Sequence, residues 1–169
     1  MAPPTLFLGE SEHSIDDKFR LAVPARFRTA LHGGLVITRG LERCLVIWDV
    51  DSWQIQAQQI LSLNPWQSDA RTLQRHFFPF ANTAQPDKLG RIVIPVSLRE
   101  YAQLDTDVVV AGMGNRIEVW SRSEWQRVRV EAERNSAALA EHLAAPGTPV
   151  QSAADRGQGA RGLGQSDKD

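Results

Sequence analysis

The 169-residue chain carries 19 basic and 20 acidic side chains, a formal net charge of -1, and 42% of its residues are hydrophobic. That balance suits one folded domain or two small ones and excludes a protein that coats nucleic acid by bulk charge, so affinity for a polyanion has to come from a local patch. No run approaches the roughly 18 apolar residues of a membrane helix, the first residues lack the basic and apolar regions of a signal peptide, and the single Cys44 supports neither a disulfide framework nor a zinc site.

In chain order, residues 1–5 read as a short extension and 6–53 as a first unit. Periodicity and punctuation predict strands at 12–15, 21–23, 35–38 and 45–48, separated by turns at His32-Gly33-Gly34 and at 39–43. Between the first two strands lies the charged turn Asp16-Asp17-Lys18-Phe19-Arg20. Pro24 has no N–H to give a ladder, so a strand stops there and 25–31 make one or two helical turns. Trp53, Ala57, Ile60 and Leu61 share one helical face, and Asp49 or Asp51 can cap that helix.

A helical connector, 54–81, follows, broken at Asn64-Pro65, with a further helix over 69–78 that Pro79 ends. The second unit, 82–125, has strands at 82–85, 92–94, 108–111 and 117–120 and a short helix at 96–102. Ser121 and Glu124 have capping-box spacing. They lead into a C-terminal helix, 126–144, whose apolar stripe joins Trp125, Val128, Ala132, Leu139 and Leu143. Residues 145–169 hold almost nothing apolar and are expected to be disordered. Arg156 and Arg161 in this tail could touch an acidic partner, but a passive solvated tail is the preferred reading.

The two units repeat one another. Asp16-Asp17-Lys18-Phe19-Arg20-Leu21-Ala22-Val23-Pro24 returns 71 residues later as Asp87-Lys88-Leu89-Gly90-Arg91-Ile92-Val93-Ile94-Pro95, and each copy has an Arg four positions beyond its Pro, Arg28 and Arg99. The stretch 40–48 likewise lines up with 112–120, and Trp53 with Trp125. Two copies are too few for a solenoid, so the expectation is two small β-rich units that complete one core.

Lys18, Arg20, Arg26 and Arg28 in the first copy and Lys88, Arg91 and Arg99 in the second form the local basic patch that bulk charge does not supply. Solvated turn charges are the bland explanation, but recurrence at matched positions favours a binding role for Arg20 and Arg91. Catalysis has little support. Asp16 and Asp17 are adjacent and would point to opposite faces of a strand, Gly112-Met113-Gly114-Asn115 is explained by hairpin chemistry, and His13, His32, His76 and His142 lack ligand spacing. The chain is expected to be no enzyme and to need no cofactor or metal.

Leu6-Phe7-Leu8-Gly9-Glu10, the two Asp-to-Arg turns, Pro24-Ala25-Arg26-Phe27-Arg28, the stretch from Thr38 to Leu45 and Gly114-Asn115-Arg116-Ile117-Glu118-Val119-Trp120 resemble the MraZ family of bacterial transcriptional regulators over about residues 6–135. The resemblance implies an α+β, mainly β fold: two tandem AbrB-like swapped-hairpin units forming a pseudo-two-fold β-barrel with flanking helices. It also implies a homo-oligomer in a closed ring, cytoplasmic and nucleoid-associated. The partner would be double-stranded DNA, at direct repeats upstream of the division and cell-wall gene cluster, repressed together with the regulator's own gene. Neither a membrane nor a small-molecule substrate is implied.

On these residues, Lys18, Arg20, Lys88 and Arg91, with Arg28 and Arg99, would meet DNA, Arg reading guanine and Lys holding phosphate. Asp16, Asp17, Asp87 and Gly90 would brace the turns. The family has Gly before the Arg in both turns, whereas the first turn here has Phe19. If that position needs a positive φ, a side chain costs roughly 1–2 kcal/mol and the first turn is expected to sit differently from the second. Phe19 could alternatively stack at a groove edge or be simply tolerated. Trp66, Phe77, Phe78 and Phe80 are candidates for subunit contacts, with core packing the preferred role for most of them. The rival to a DNA-binding regulator is an oligomeric adaptor for a protein partner, in which Arg20 and Arg91 pair with Glu118, Glu124 or Asp49 across an interface.

Overall fold

The computed structural model describes residues 6–144, so the extension at 1–5 and the tail at 145–169, with Arg156 and Arg161, lie outside the described residues. Within them the chain is α+β and mainly β. The first copy contains β1 (Phe7–Ser14), β2 (Arg20–Ala22), α1 (Ala25–Arg28), β3 (Leu35–Arg39), β4 (Leu45–Asp49) and α2 (Val50–Leu61). α3 (Ser68–Phe77) and a 3-10 turn (Phe78–Phe80) lead to the second copy, β5 (Asn82–Ala84), β6 (Arg91–Val93), α4 (Val96–Tyr101), β7 (Asp107–Gly114), β8 (Ile117–Ser121) and α5 (Arg122–Ala144). Two compact units divide at Arg129, and the described part of the second is the stretch of α5 from Val130 onward, where Leu139 and Leu143 are exposed.

Each copy lends strands to the other. Six antiparallel strands run in the order β1-β7-β8-β4-β3-β5, so the first strand of each copy pairs with the third strand of its counterpart, and β4 meets β8 at the centre. The central register places Val46 opposite Glu118, which are equivalent positions of the repeat, so a pseudo-two-fold axis passes between them. β2 and β6 form a separate antiparallel ribbon whose middle pair, Leu21 and Ile92, is also an equivalent pair. The six-stranded sheet is open, with β1 and β5 as its edges, and does not close into the barrel that the resemblance implies. The ribbon strands pair with one another, and a bridge between Leu21 and Ile15, the residue after β1, ties them to the six-stranded sheet.

One face of the sheet and the ribbon enclose a core to which both copies contribute: Phe7, Leu21, Phe27, Leu31, Ile37, Ile47, Ile92, Ile94, Leu98, Val110 and Val119 are all buried. Phe27 and Leu98 occupy equivalent positions, and Phe27 meets Phe7 edge to face at 5.4 Å. The opposite face carries Cys44, Val46, Trp48 and Trp120, covered by Trp53 of α2 and Trp125 and Val128 of α5. Burial, with Glu118 and Glu42 nearby, pushes the Cys44 thiol up to about 12, which leaves it an inert packing group.

Local rules explain the helix positions. Asp49 caps α2 by accepting from the Ser52 amide at 2.9 Å. Ser121 accepts from the Glu124 amide at 3.4 Å, but the Glu124 carboxylate turns to Arg127, so only half of the capping box is made. The start of α5 is tied to β1 by Trp125 Nε1, which donates to Glu10 at 2.6 Å, and by Arg122 on Glu12. Leu61, placed by periodicity on the apolar face of α2, is exposed in its last turn, whereas Ile60 is buried.

Phe77, Phe78 and Phe80 are half-buried, and Phe80 packs on the core beneath the Arg39 guanidinium, 3.2 Å from its ring centroid. Trp66 is 89% exposed. Truncating either equivalent core residue leaves a cavity in a core shared by both copies, so Phe27→Ala and Leu98→Ala should each destabilise by about 2–5 kcal/mol. Urea unfolding of each variant should show one lowered transition, with both copies melting together.

Candidate nucleic-acid interface

The site is the pair of charged turns at the two ends of the ribbon. In the first, Asp16 Oδ1 accepts from the backbone amides of Lys18 and Arg20, each at 2.9 Å, and Oδ2 accepts from Arg20 Nε at 2.8 Å. In the second, Asp87 Oδ1 accepts from the amides of Leu89 and Arg91, each at 2.9 Å, and Oδ2 from Arg91 Nε at 2.8 Å. A three-residue loop closes each hairpin, Phe19 N donating to Asp16 O at 2.9 Å and Gly90 N to Asp87 O at 2.8 Å. The third loop residue must then be left-handed, as the bulge that ends such loops requires. Phe19 has φ 59° and Gly90 has φ 73°.

The expected reshaping of the first turn therefore does not occur. The carboxylate of Asp16 organises the same hydrogen bonds as Asp87, and these hold Phe19 in a conformation that costs a Cβ-bearing residue roughly 1–2 kcal/mol. Asp17 is exposed and takes no part in the brace. The brace joins the turns to the ribbon, because Val23 N donates to Gly90 O at 2.8 Å and Ile94 N to Phe19 O at 2.9 Å. The left-handed residue of each turn thus presents its carbonyl to the other copy's strand.

Charge follows from this scaffold. Only Nε of Arg20 and of Arg91 is used internally, and their terminal guanidinium nitrogens make no hydrogen bond among the described residues. Lys18 and Lys88 are both exposed, but they are not equivalent: Lys88 occupies the register of Asp17, and Lys18 that of Leu89. Arg28 Nε donates to Val23 O at 2.9 Å and Arg99 Nε to Ile94 O at 3.2 Å, so each follows its ribbon strand back across the end of the hairpin.

Arg28 lies on Gly90, where a Cβ would collide with its Nε, and Arg99 lies over the Phe19 ring. A cleft of about 370 Å³ beside the second turn is lined by Arg28, His32, Gln85, Pro86, Asp87, Lys88 and Gly90. Arg28, anchored on Val23 O, and the exposed Lys88 suit it to an anionic group, the Asp87 carboxylate being taken up by Arg91.

The structure brings Lys18, Arg20 and Arg99 together at one end of the ribbon and Lys88, Arg91 and Arg28 at the other. Three features escape sequence reading: the crossing of each distal Arg onto the other copy's turn, the place of His32 in the cleft, and the role of Arg26, which donates to Ser11 Oγ at 3.3 Å. The 71-residue offset signals that Arg28 and Arg99 are equivalent, but not what they touch. Burial, with Arg26 and Arg28 nearby, lowers the His13 pKa from the ordinary value and so favours its neutral form. Among the described residues no cluster of His, Cys, Asp and Glu could hold a metal, and no helix is long and apolar enough to cross a membrane.

Glu118, Glu124 and Asp49 are otherwise engaged, with Arg116, Arg127 and the α2 cap respectively.

A mainly β chain built from two interlocked copies, each presenting an Asp-braced basic turn, defines a tandem-repeat protein with one composite polar site. The family model described as "MraZ protein, putative antitoxin-like" matches it twice, over residues 6–76 and 77–145. The chain is 44% identical over 138 residues to a protein of Desulforamulus reducens, 45% identical over 138 residues to one of Moorella thermoacetica and 46% identical over 139 residues to one of Roseiflexus castenholzii. Each match covers 82% of this chain and 96–97% of the relative, and each relative is named transcriptional regulator MraZ. The chain belongs to the MraZ family.

Hydrogen bonds from the amides of Arg20 and Arg91 first, and then from their side chains, hold the Asp16 and Asp87 carboxyls below the ordinary aspartate range. A depressed folded-state value means the brace stabilises the turns above the unfolded pKa and is lost as pH falls through the folded one. Carboxyl NMR titration should place both midpoints below those of the urea-unfolded chain, with the Arg20 and Arg91 amide signals shifting over the same acidic window. Gly90→Ala, which adds left-handed strain and displaces Arg28, should lower stability by about 1–2 kcal/mol in thermal unfolding.

Proposed function

We propose that the chain is a sequence-specific DNA-binding transcriptional regulator whose reading element is the β2–β6 ribbon. The observation that carries this is the pair of hairpin ends with one backbone design, each aiming an arginine whose terminal nitrogens are uncommitted and each flanked by an exposed lysine. Asp spends its charge on the turn and on Nε, which fixes the arginine without blocking the fork that matches guanine O6 and N7. Lys18 and Lys88 would hold phosphates, Arg28 and Arg99 would meet the DNA beside them, and Asp16, Asp87 and Gly90 would keep the turns in shape.

The relatives' printed name supports the regulatory role. The exchange of strands between copies supports reading each as an AbrB-like swapped hairpin, with units at 6–53 and 82–125, a connector at 54–81 and a C-terminal helix at 126–144. By resemblance the target is a set of direct repeats upstream of the division and cell-wall genes and the chain's own gene, with repression as the outcome, and the working form is a closed ring. One chain neutralises few phosphates, and each one contributes only about 0.9 to the salt slope, so a ring spanning several repeats would supply avidity. The adaptor reading has no comparable support, since the acids it would use have partners within the chain.

Arg20→Ala and Arg91→Ala should each weaken binding to the chain's own upstream DNA by about tenfold or more, the range for losing one bidentate base contact, with oligomer mass unchanged by light scattering. Undiminished DNA binding in both variants, or loss of assembly without any DNA affinity in the wild type, would favour the adaptor instead. Fluorescence anisotropy should also show a multi-repeat probe bound far more tightly than a single repeat.

A further inference from the structure

The pseudo-two-fold axis through Leu21 and Ile92 relates the backbones of the two turns but not the side chains that lie on them. At the second turn Arg28 rests directly on the backbone of Gly90, which leaves no room for a Cβ. At the first, Phe19 keeps φ 59° and stands 48% exposed, and Arg99 lies over its ring with the guanidinium carbon 3.6 Å from the centroid. Both arginines are anchored alike, Nε on the strand carbonyl of Val23 or Ile94. The ring is therefore what separates their settings: Arg28 lies flat on the turn, whereas Arg99 is held off it on an aromatic face.

Stacking has a chemical consequence. A guanidinium carries all its N–H donors in its plane, so a face laid on an aromatic ring leaves the outer edge open to an acceptor. A phenylalanine held at positive φ is strained, and strain kept at an exposed, charged turn points to use rather than packing. Lys88, in the register of Asp17, adds a second difference in charge between the ends.

We propose that Phe19 and Arg99 form a second reading pair found only at the first turn, with the ring fixing the guanidinium edge against a guanine in the major groove. One end of the ribbon then reads with Arg20 and Arg99, and the other reads with Arg91 and grips phosphate through Arg28 and Lys88. The chain accordingly recognises an asymmetric sequence in one orientation. This rests on the DNA-binding function proposed above.

The test uses the full-length chain and its own upstream DNA with each base pair substituted in turn, for wild type, Phe19→Gly, Phe19→Tyr, Arg99→Lys and Arg91→Ala. In the wild type the preference profile should be asymmetric about the ribbon's axis. Phe19→Gly and Arg99→Lys should each flatten discrimination at the same G–C pair by about fivefold or more, the scale of one bidentate contact, while preferences at the opposite end persist. Phe19→Tyr, which keeps the ring, should retain the discrimination. Phe19→Gly removes strain, so its melting temperature should not fall. A two-fold symmetric wild-type profile, or a Phe19→Gly profile that matches wild type while Arg91→Ala weakens binding, would overturn the reading pair and leave the DNA function standing. Wild-type affinity in Arg91→Ala would overturn that function, and the reading pair with it.

Discussion

The pairing of β2 with β6 is the interaction on which the rest depends. Each strand has only three residues, too few to stand alone, and each finds its partner in the other copy of the repeat. The ladder continues beyond the strands through Val23 N on Gly90 O and Ile94 N on Phe19 O, so the turn residues themselves are part of the pairing. That demand fixes the sign of φ at Phe19 and Gly90. Turn geometry, ribbon register and the aim of Arg20 and Arg91 are thus one arrangement, and a change to any part is felt by the others.

The same crossing explains how a chain of net charge -1 presents a basic surface. Asp16 and Asp87 are consumed inside their turns and take only Nε of Arg20 and Arg91, whose terminal nitrogens make no hydrogen bond among the described residues. Arg28 and Arg99 arrive from α1 and the end of α4 onto the turn of the opposite copy. Four arginines converge at the ends of one short ribbon, while many of the acids lie elsewhere: Glu10 and Glu12 hold the start of α5, and Glu118 pairs with Arg116 near the sheet's axis. Segregation, rather than excess, makes the patch.

Much of this was legible in the sequence, for stated reasons. The 71-residue echo of Asp16–Pro24 in Asp87–Pro95 marked the turns, the prolines marked the strand ends, and apolar periodicity marked the helices. The pattern predicts a first strand from residue 12, whereas β1 begins at Phe7, because exposed Leu8, Gly9 and Glu10 show no inward alternation on an edge strand. Which copy pairs with which is a long-range choice that no local pattern encodes, and the open sheet follows from that choice. The glycine-to-phenylalanine departure correctly singled out position 19, yet reshaping was the wrong consequence to draw: three hydrogen bonds to one carboxylate outweigh the strain of one left-handed side chain. The partner that the ring acquires, Arg99, sits 80 residues away and becomes visible only once the copies interlock.

The most direct measurement is site-specific photocrosslinking to upstream DNA from a benzophenone amino acid placed at Leu89, at the tip of the second turn, and separately at Ile55 on α2. Both side chains are exposed, at 62% and 65%, so accessibility does not bias the comparison. Crosslinks from position 89 and none from position 55 are expected if the ribbon is the reading element. Crosslinks from position 55 with none from position 89 would contradict it and move the DNA to the helical face.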